Sequence, residues 1–329
     1  MGVDKAFACA EARKANATLA TLRPSTLVDW VSGRTEYTLT DWLPQYKKLW
    51  LQKSEIPPAD NTLRSCTMYL KKIASASYAW NRLQDVTTAH VAEHIQQITS
   101  ESGSPSAINF RARLSDVFRM AETQGLIPAG SNPVRATYAP TRSVKRERLS
   151  LDQFLAIREV APIWLQRAMN LALVTAQRRE DITRMRFADF KDGKLHVEQG
   201  KTGVRLSISG AIRLEAVDLS VEQVVGNCRD LIISRHMVHH VKHVARVKPG
   251  EPIDPNGLSN GFAKARVAAG IEAEKGRTPP SFHEIRSLSE RLYKAERGAE
   301  FAQAILGHKH ASMTAVYDDL RGKGWAEVA

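Results

Sequence analysis

The chain has 329 residues, which suits two domains of the usual ~150 residues each, and its 43% hydrophobic content excludes wholesale disorder. Three scattered cysteines, Cys9, Cys66 and Cys228, argue against a disulfide framework and lack the close pairing of a structural zinc site. A net charge of +12 at pH 7 points to an anionic partner, nucleic acid before membrane, because Lys and Arg neutralise phosphates and release their counterions.

No run of about 18 apolar residues is present, the N-terminus has no signal-peptide core, and neither a basic amphipathic anchor nor a lipidation motif is evident. The chain is therefore expected to be soluble and cytoplasmic, with no membrane partner. Residues 1–22 read as an Ala-rich helix from Ala6 to Leu22, ended by Pro24. A second unit, from about Thr38 to Asn132, shows no period-2 run and is predicted all-helical. Its clearest helix carries Phe110, Leu114, Val117, Phe118 and Ala121 along one face. Arg111, Arg113 and Arg119 fall off that stripe. With Arg64, Lys71 and Lys72, Arg111 and Arg113 are this unit's candidate phosphate contacts, solvated surface charge being the alternative.

The stretch PVRATYAPTRSVKRER at 133–148 combines prolines with Lys and Arg and reads as an exposed basic linker. Arg142, Lys145 and Arg146 within it could lie along a duplex. Beyond Leu149, the positions Leu165, Ala168, Met169, Ala172 and Leu173 predict a buried helix. Leu195 and Val197, then Val204, Leu206 and Ile208, alternate with mostly polar residues around Gln199-Gly-Lys-Thr-Gly203, which predicts a β-hairpin with Lys201 at its tip. Downstream the pattern returns to helices. The fold class is thus mainly α with a small β-sheet.

Several motifs offer chemistry. Gly200-Lys201-Thr202 imitates the end of a phosphate-binding loop, but Leu195 stands where that motif needs glycine. His236, His239, His240 and His243 would suit zinc only on a helix, and no carboxylate lies beside them in sequence. Ser281 and Glu284 fit a capping box that starts a helix, placing His283 and Arg286 one turn apart near an end that favours anions. Gly307 is a natural helix stop, His308 follows it, and Ser312 would cap a short helix carrying Tyr317. In Thr175-Ala-Gln-Arg-Arg-Glu-Asp-Ile182, Arg178 sits at a helix break, free to grip a phosphate or to pair with Glu180 or Asp181.

In their order, Arg178, Lys201, His283-x-x-Arg286, His308 and Tyr317 resemble the signature of the tyrosine recombinases, in their lambda-type phage integrase branch. TAQRREDI, VEQGKTGV, SFHEIRSLSERLY, FAQAILGHKHASMTAVYDD and RGKGW carry the likeness, which is strongest from Leu149 to Trp325 and traceable from Thr38 to Asn132. The resemblance implies a coupling helix and linker at 1–35, an all-helical core-DNA-binding domain at 36–135, a basic linker at 136–148, and a mixed α/β catalytic domain with a C-terminal tail at 149–329.

It also implies the roles. Tyr317 is the nucleophile, Arg178 and Arg286 clamp the phosphate, and His283 and His308 complete the site. Lys201 is the general acid, and Asp181 supports the site without reacting. The implied reaction cleaves and rejoins DNA through a 3′-phosphotyrosyl link without metal, ATP or other cofactor. The implied partners are core-type double-stranded DNA, a homotetramer with exchanged C-terminal tails, a host DNA-bending protein and an excisionase. Lambda-type integrases also carry an N-terminal arm-binding domain, which is expected to be missing because Met1 falls at about the coupling helix. A chromosome-dimer recombinase of the same family would lack a helix like residues 1–22. A catalytically dead prophage relic would not need the complete set of site residues.

Overall fold

The computed structural model describes residues 37–55, 57–141, 146–244, 246–307 and 326–328. The predicted helix at 1–22, and Arg142, Lys145, His308, Ser312 and Tyr317, lie outside the described residues. The chain divides into two compact units, Met1–Val144 and Lys145–Ala329. Among the described residues no helix is long and apolar enough to cross a membrane.

The described residues of the first unit form four α-helices, α1 (Leu39–Gln52), α2 (Asp60–Ala74), α3 (Thr88–Ser102) and α4 (Ser104–Thr123). A capping box starts α1: the Thr38 hydroxyl accepts from the Asp41 backbone N–H, and the Asp41 carboxylate accepts from the N–H of Thr38. Between α3 and α4 the chain reverses at Gly103 with φ +80°, a conformation in which any Cβ is strained. The apolar stripe of α4 is fully buried, packed with Trp42, Tyr69, Ile73 and Val91.

Two of the candidate phosphate contacts on α4 are engaged within this unit. The Arg111 guanidinium donates to Thr137 Oγ1 and to the carbonyls of Val134 and Thr137. Arg113 donates to the Tyr46 hydroxyl and lies over the Trp50 ring. Arg119 is paired with Asp116. Arg64 and Lys71 are exposed on α2, and Lys72 is half-buried. The bonds to buried Thr137 also fix the start of the segment expected to be an exposed linker. Its other end is held as well, with Glu147 bonded to Thr278 and Glu274.

The second unit opens with α5 (Leu151–Val160), α6 (Ile163–Thr175) and α7 (Arg179–Arg184). Every residue predicted to be buried on α6 is buried. Strands β1 (Phe190–Lys191), β2 (Lys194–Glu198) and β3 (Arg205–Ser209) follow, then β4 (Arg213–Leu214), β5 (Leu219–Ser220) and α8 (Val221–Gly226). Helices α9 (Pro255–Ala268), α10 (Glu284–Arg297) and α11 (Ala299–Leu306) precede β6 (Ala326–Val328). The main sheet runs β1-β2-β3-β6, antiparallel except for the β3–β6 pair. Leu195 faces Ile208 and Val197 faces Leu206, so the predicted hairpin forms with its apolar side in the core.

The structure decides two local readings. The described residues of 229–254 form neither helix nor strand, so the four histidines do not share a helix face. Bridges from Arg186 to His236 and from His239 to Pro252 pin this stretch. The buried His239 ring sits between the His236 carbonyl and Asp230, which itself pairs with Arg167. The Ser281–Glu284 capping box is also not formed. Helix α10 begins at Glu284, whose N–H donates to the Ser281 carbonyl, not to its hydroxyl. Arg146 donates to the Ser281 hydroxyl and Arg148 pairs with the Glu284 carboxylate, so the basic stretch takes both capping groups.

Candidate active site

The described site residues lie in the second unit, where α6, α7, the β2–β3 hairpin and the ends of α10 and α11 meet. Helix α6 ends at Ala176, which adopts a left-handed conformation at φ +57° that costs a non-glycine residue about 1 kcal/mol or more. That kink turns the chain sharply, and Arg178 becomes the N-cap of α7 in extended geometry. The freed Ala176 carbonyl accepts from Arg286 Nη1 at 2.6 Å. Arg286 Nη2 donates to the Leu306 carbonyl, also at 2.6 Å, at the end of α11. A buried guanidinium thus fastens the C-terminal ends of two helices.

Burial, and then the positive charge of Arg178, push the Arg286 pKa down to about 10. Arg286 still carries its charge at neutral pH, at an elevated electrostatic cost. An anion between the two arginines lowers that cost. Arg178 does not pair with Glu180 or Asp181: its Nη1 donates to Gln199 Oε1 at 2.6 Å, while Glu180 pairs with Arg179 and Asp181 with Arg184.

His283 is exposed just ahead of α10. Partial desolvation, then the charges of Arg286, Arg146 and Arg178, hold its pKa below the ordinary imidazole value. The ring is therefore neutral at physiological pH and can accept a proton. Lys201 is exposed in the hairpin turn. Buried Asp181 accepts from the Gly200 N–H at 2.9 Å and from Arg184, tying α7 to the residue before Lys201.

Sequence reasoning missed two residues, Gln177 and Gln199. Both are buried and bonded to each other, Gln199 Nε2 donating to Gln177 Oε1 at 2.8 Å. The available signal was their position, one residue before Arg178 and two before Lys201. A polar side chain there reads as surface unless the facing carbonyls are known.

The profile of the phage integrase family matches residues 147–323. The integrase of Escherichia phage HK022 is 36% identical over 334 residues, covering 100% of this chain and 89% of that protein. Prophage integrase IntE of Escherichia coli K12 is also 36% identical, over 343 residues, with the same coverage of 100% and 89%. Among solved structures, a lambda integrase tetramer bound to a Holliday junction superposes with a TM-score of 0.78 at 33% identity, covering 94% of this chain and 89% of that one. These matches define a site-specific DNA recombinase of the tyrosine class. The chain belongs to the phage integrase family.

Proposed function

We propose that this enzyme cleaves and rejoins core-type attachment sites, with Tyr317 attacking the scissile phosphate to integrate or excise phage DNA. The observation that supports this reading best is the Arg178–Arg286 pair, in which burial and then the charge of Arg178 lower the pKa of Arg286, a cost that a bound anion would relieve. A phosphodiester supplies that anion, and the guanidinium fork matches its two non-bridging oxygens.

In the cleavage step, the Tyr317 oxygen bonds to phosphorus and the bond to the 5′-oxygen breaks. Neutral His283 takes the phenolic proton and Lys201 gives a proton to the leaving 5′-oxygen. Arg178, Arg286 and His308 stabilise the charge on the non-bridging oxygens, usually the largest catalytic contribution. The reverse step, attack by a 5′-hydroxyl, reseals the strand without ATP because the phosphotyrosyl bond keeps the energy of the broken one. Asp181 acts through the Gly200 anchor. Arg64, Lys71, Lys72, Arg142, Lys145 and Arg146 supply non-specific phosphate contacts, with Arg111 and Arg113 acting mainly inside their own unit. The lambda integrase structure holds four copies on a junction, and the same assembly, in the cytoplasm of a bacterial host, is proposed here.

Nicked attachment-site DNA traps the intermediate, because the fragment carrying the 5′-hydroxyl diffuses away. The expected result is a covalent protein–DNA adduct with wild type and none with Tyr317→Phe. An adduct that persists in Tyr317→Phe removes Tyr317 as nucleophile.

A further inference from the structure

The Gln199 carboxamide is fully buried and makes four hydrogen bonds. Its Oε1 accepts from Arg178 Nη1 at 2.6 Å and from Thr202 Oγ1 at 2.8 Å. Its Nε2 donates to Gln177 Oε1 at 2.8 Å and to the Leu306 carbonyl at 2.9 Å. A carboxamide has two lone pairs and two N–H groups, so this one is saturated. Its orientation is fixed as well, since the Leu306 carbonyl can only accept. Gln177 extends the brace by donating to the carbonyls of Thr175 and Ile305.

One acceptor atom thus holds both an arginine of the phosphate clamp and the hairpin turn that carries Lys201. The turn is fastened further by the N–H groups of Thr202 and Gly203 on the Gln199 carbonyl, and by the Gly200 N–H on Asp181. The brace also grips the end of α11, one residue before Gly307 and two before His308.

We infer that Gln199 is a positioning residue that couples phosphate capture by Arg178 to proton delivery by Lys201. The inference rests on the roles proposed above for those two residues. With Gln199 intact, the hairpin turn and the clamp share one register, and a shift of either strains the other's hydrogen bond. Glutamate at 199 could not serve, because it lacks the two N–H donors that face Gln177 and Leu306.

The test measures adduct formation at saturating DNA on two nicked core-site substrates, one ordinary and one with sulfur replacing the bridging 5′-oxygen. A thiolate leaves without a proton, so the sulfur substrate bypasses the general acid. Thr202→Val, a change at an exposed residue, loses only the Thr202 side-chain bond to Gln199 Oε1 and keeps the turn's main-chain bonds to the Gln199 carbonyl; its rate should fall about 10-fold on ordinary DNA and recover on the sulfur substrate. Gln199→Met should fall about 100-fold, in line with the cost of a small misplacement, and recover only about 10-fold, because Arg178 is displaced too.

Thermal unfolding and DNA affinity are measured for each variant. Wild-type rates in both variants overturn the coupling, as does a loss that follows unfolding or DNA affinity alone. Lys201→Ala is the control for the underlying role: if sulfur does not restore it, the acid assignment falls. The Arg178 half is then still judged by whether folded Gln199→Met is slow on ordinary DNA.

Discussion

Gly307 ends α11 at φ +64°, and a Cβ built there would lie 2.9 Å from Gln199 Nε2. Gly203, in the hairpin turn, has nearly the same φ of +67° but open space around its would-be Cβ. Alanine at either position carries the left-handed strain of about 1–2 kcal/mol. At 307 it must also push the buried Gln199 amide away from Leu306 or Gln177, which costs about 1–3 kcal/mol more for a buried group left unbonded. For a unit of this size each kcal/mol shifts Tm by about 2–4 °C, so Gly203→Ala is expected to lose about 2–8 °C and Gly307→Ala roughly twice that. Differential scanning calorimetry of the two variants beside wild type measures the difference. Equal shifts would refute the claim that Gly307 is required by packing against Gln199 as well as by its backbone angle.

Three further outcomes are expected. His283 has a lowered pKa, so its neutral form persists below the ordinary value of 6.5, and the adduct-forming rate should hold through pH 6.5 and fall only at lower pH; a fall centred above pH 6.5 in a pH–rate profile would count against His283 as the base. Arg286→Lys replaces a fork that bonds two carbonyls with a single ammonium, and cleavage should drop by about 100-fold or more with DNA affinity largely kept, measured by adduct formation and gel shift. Tyr46→Phe leaves Asp116 and Arg113 without the hydroxyl that joins them in the first unit, and should cost about 1–3 kcal/mol, read as faster hydrogen exchange in α1 and α4 with the second unit unaffected.

The parts of this fold that follow from local periodicity were legible in the sequence. The α4 stripe, the buried face of α6 and the β2–β3 hairpin each announce themselves through spacing of 3.6 or 2, and the structure forms all three. Arg178 at a helix break was legible for the same reason. What could not be read was competition between distant partners. Ser281 and Glu284 have the spacing of a capping box, yet Arg146 and Arg148, more than 130 residues away in sequence, take both groups. Arg111 and Arg113 look like free surface charge until Thr137 and Tyr46 are seen beside them. The Gln177–Gln199 brace has no local signature at all, because its partners are main-chain carbonyls brought in by tertiary packing.

The partners chosen for the two arginines explain how the site stays electropositive inside a folded protein. A buried guanidinium must be hydrogen-bonded, and carboxylates are the usual solution. Here Arg286 donates to the carbonyls of Ala176 and Leu306, and Arg178 donates to the amide oxygen of Gln199. The carbonyls belong to the C-terminal ends of α6 and α11, where the helix dipole carries about half a negative charge. Neutral acceptors of this kind satisfy the donors and offset part of the desolvation cost without cancelling the charge. A carboxylate in the place of Gln199 would hold Arg178 more tightly, but it would compete with the phosphate for the same guanidinium. The two acids nearest in sequence bond elsewhere, Glu180 to Arg179 and Asp181 through its Oδ1 to the Gly200 N–H and Arg184. The neutral amide and carbonyl acceptors thus hold the arginines without cancelling their charge, which is the property the proposed phosphate clamp requires.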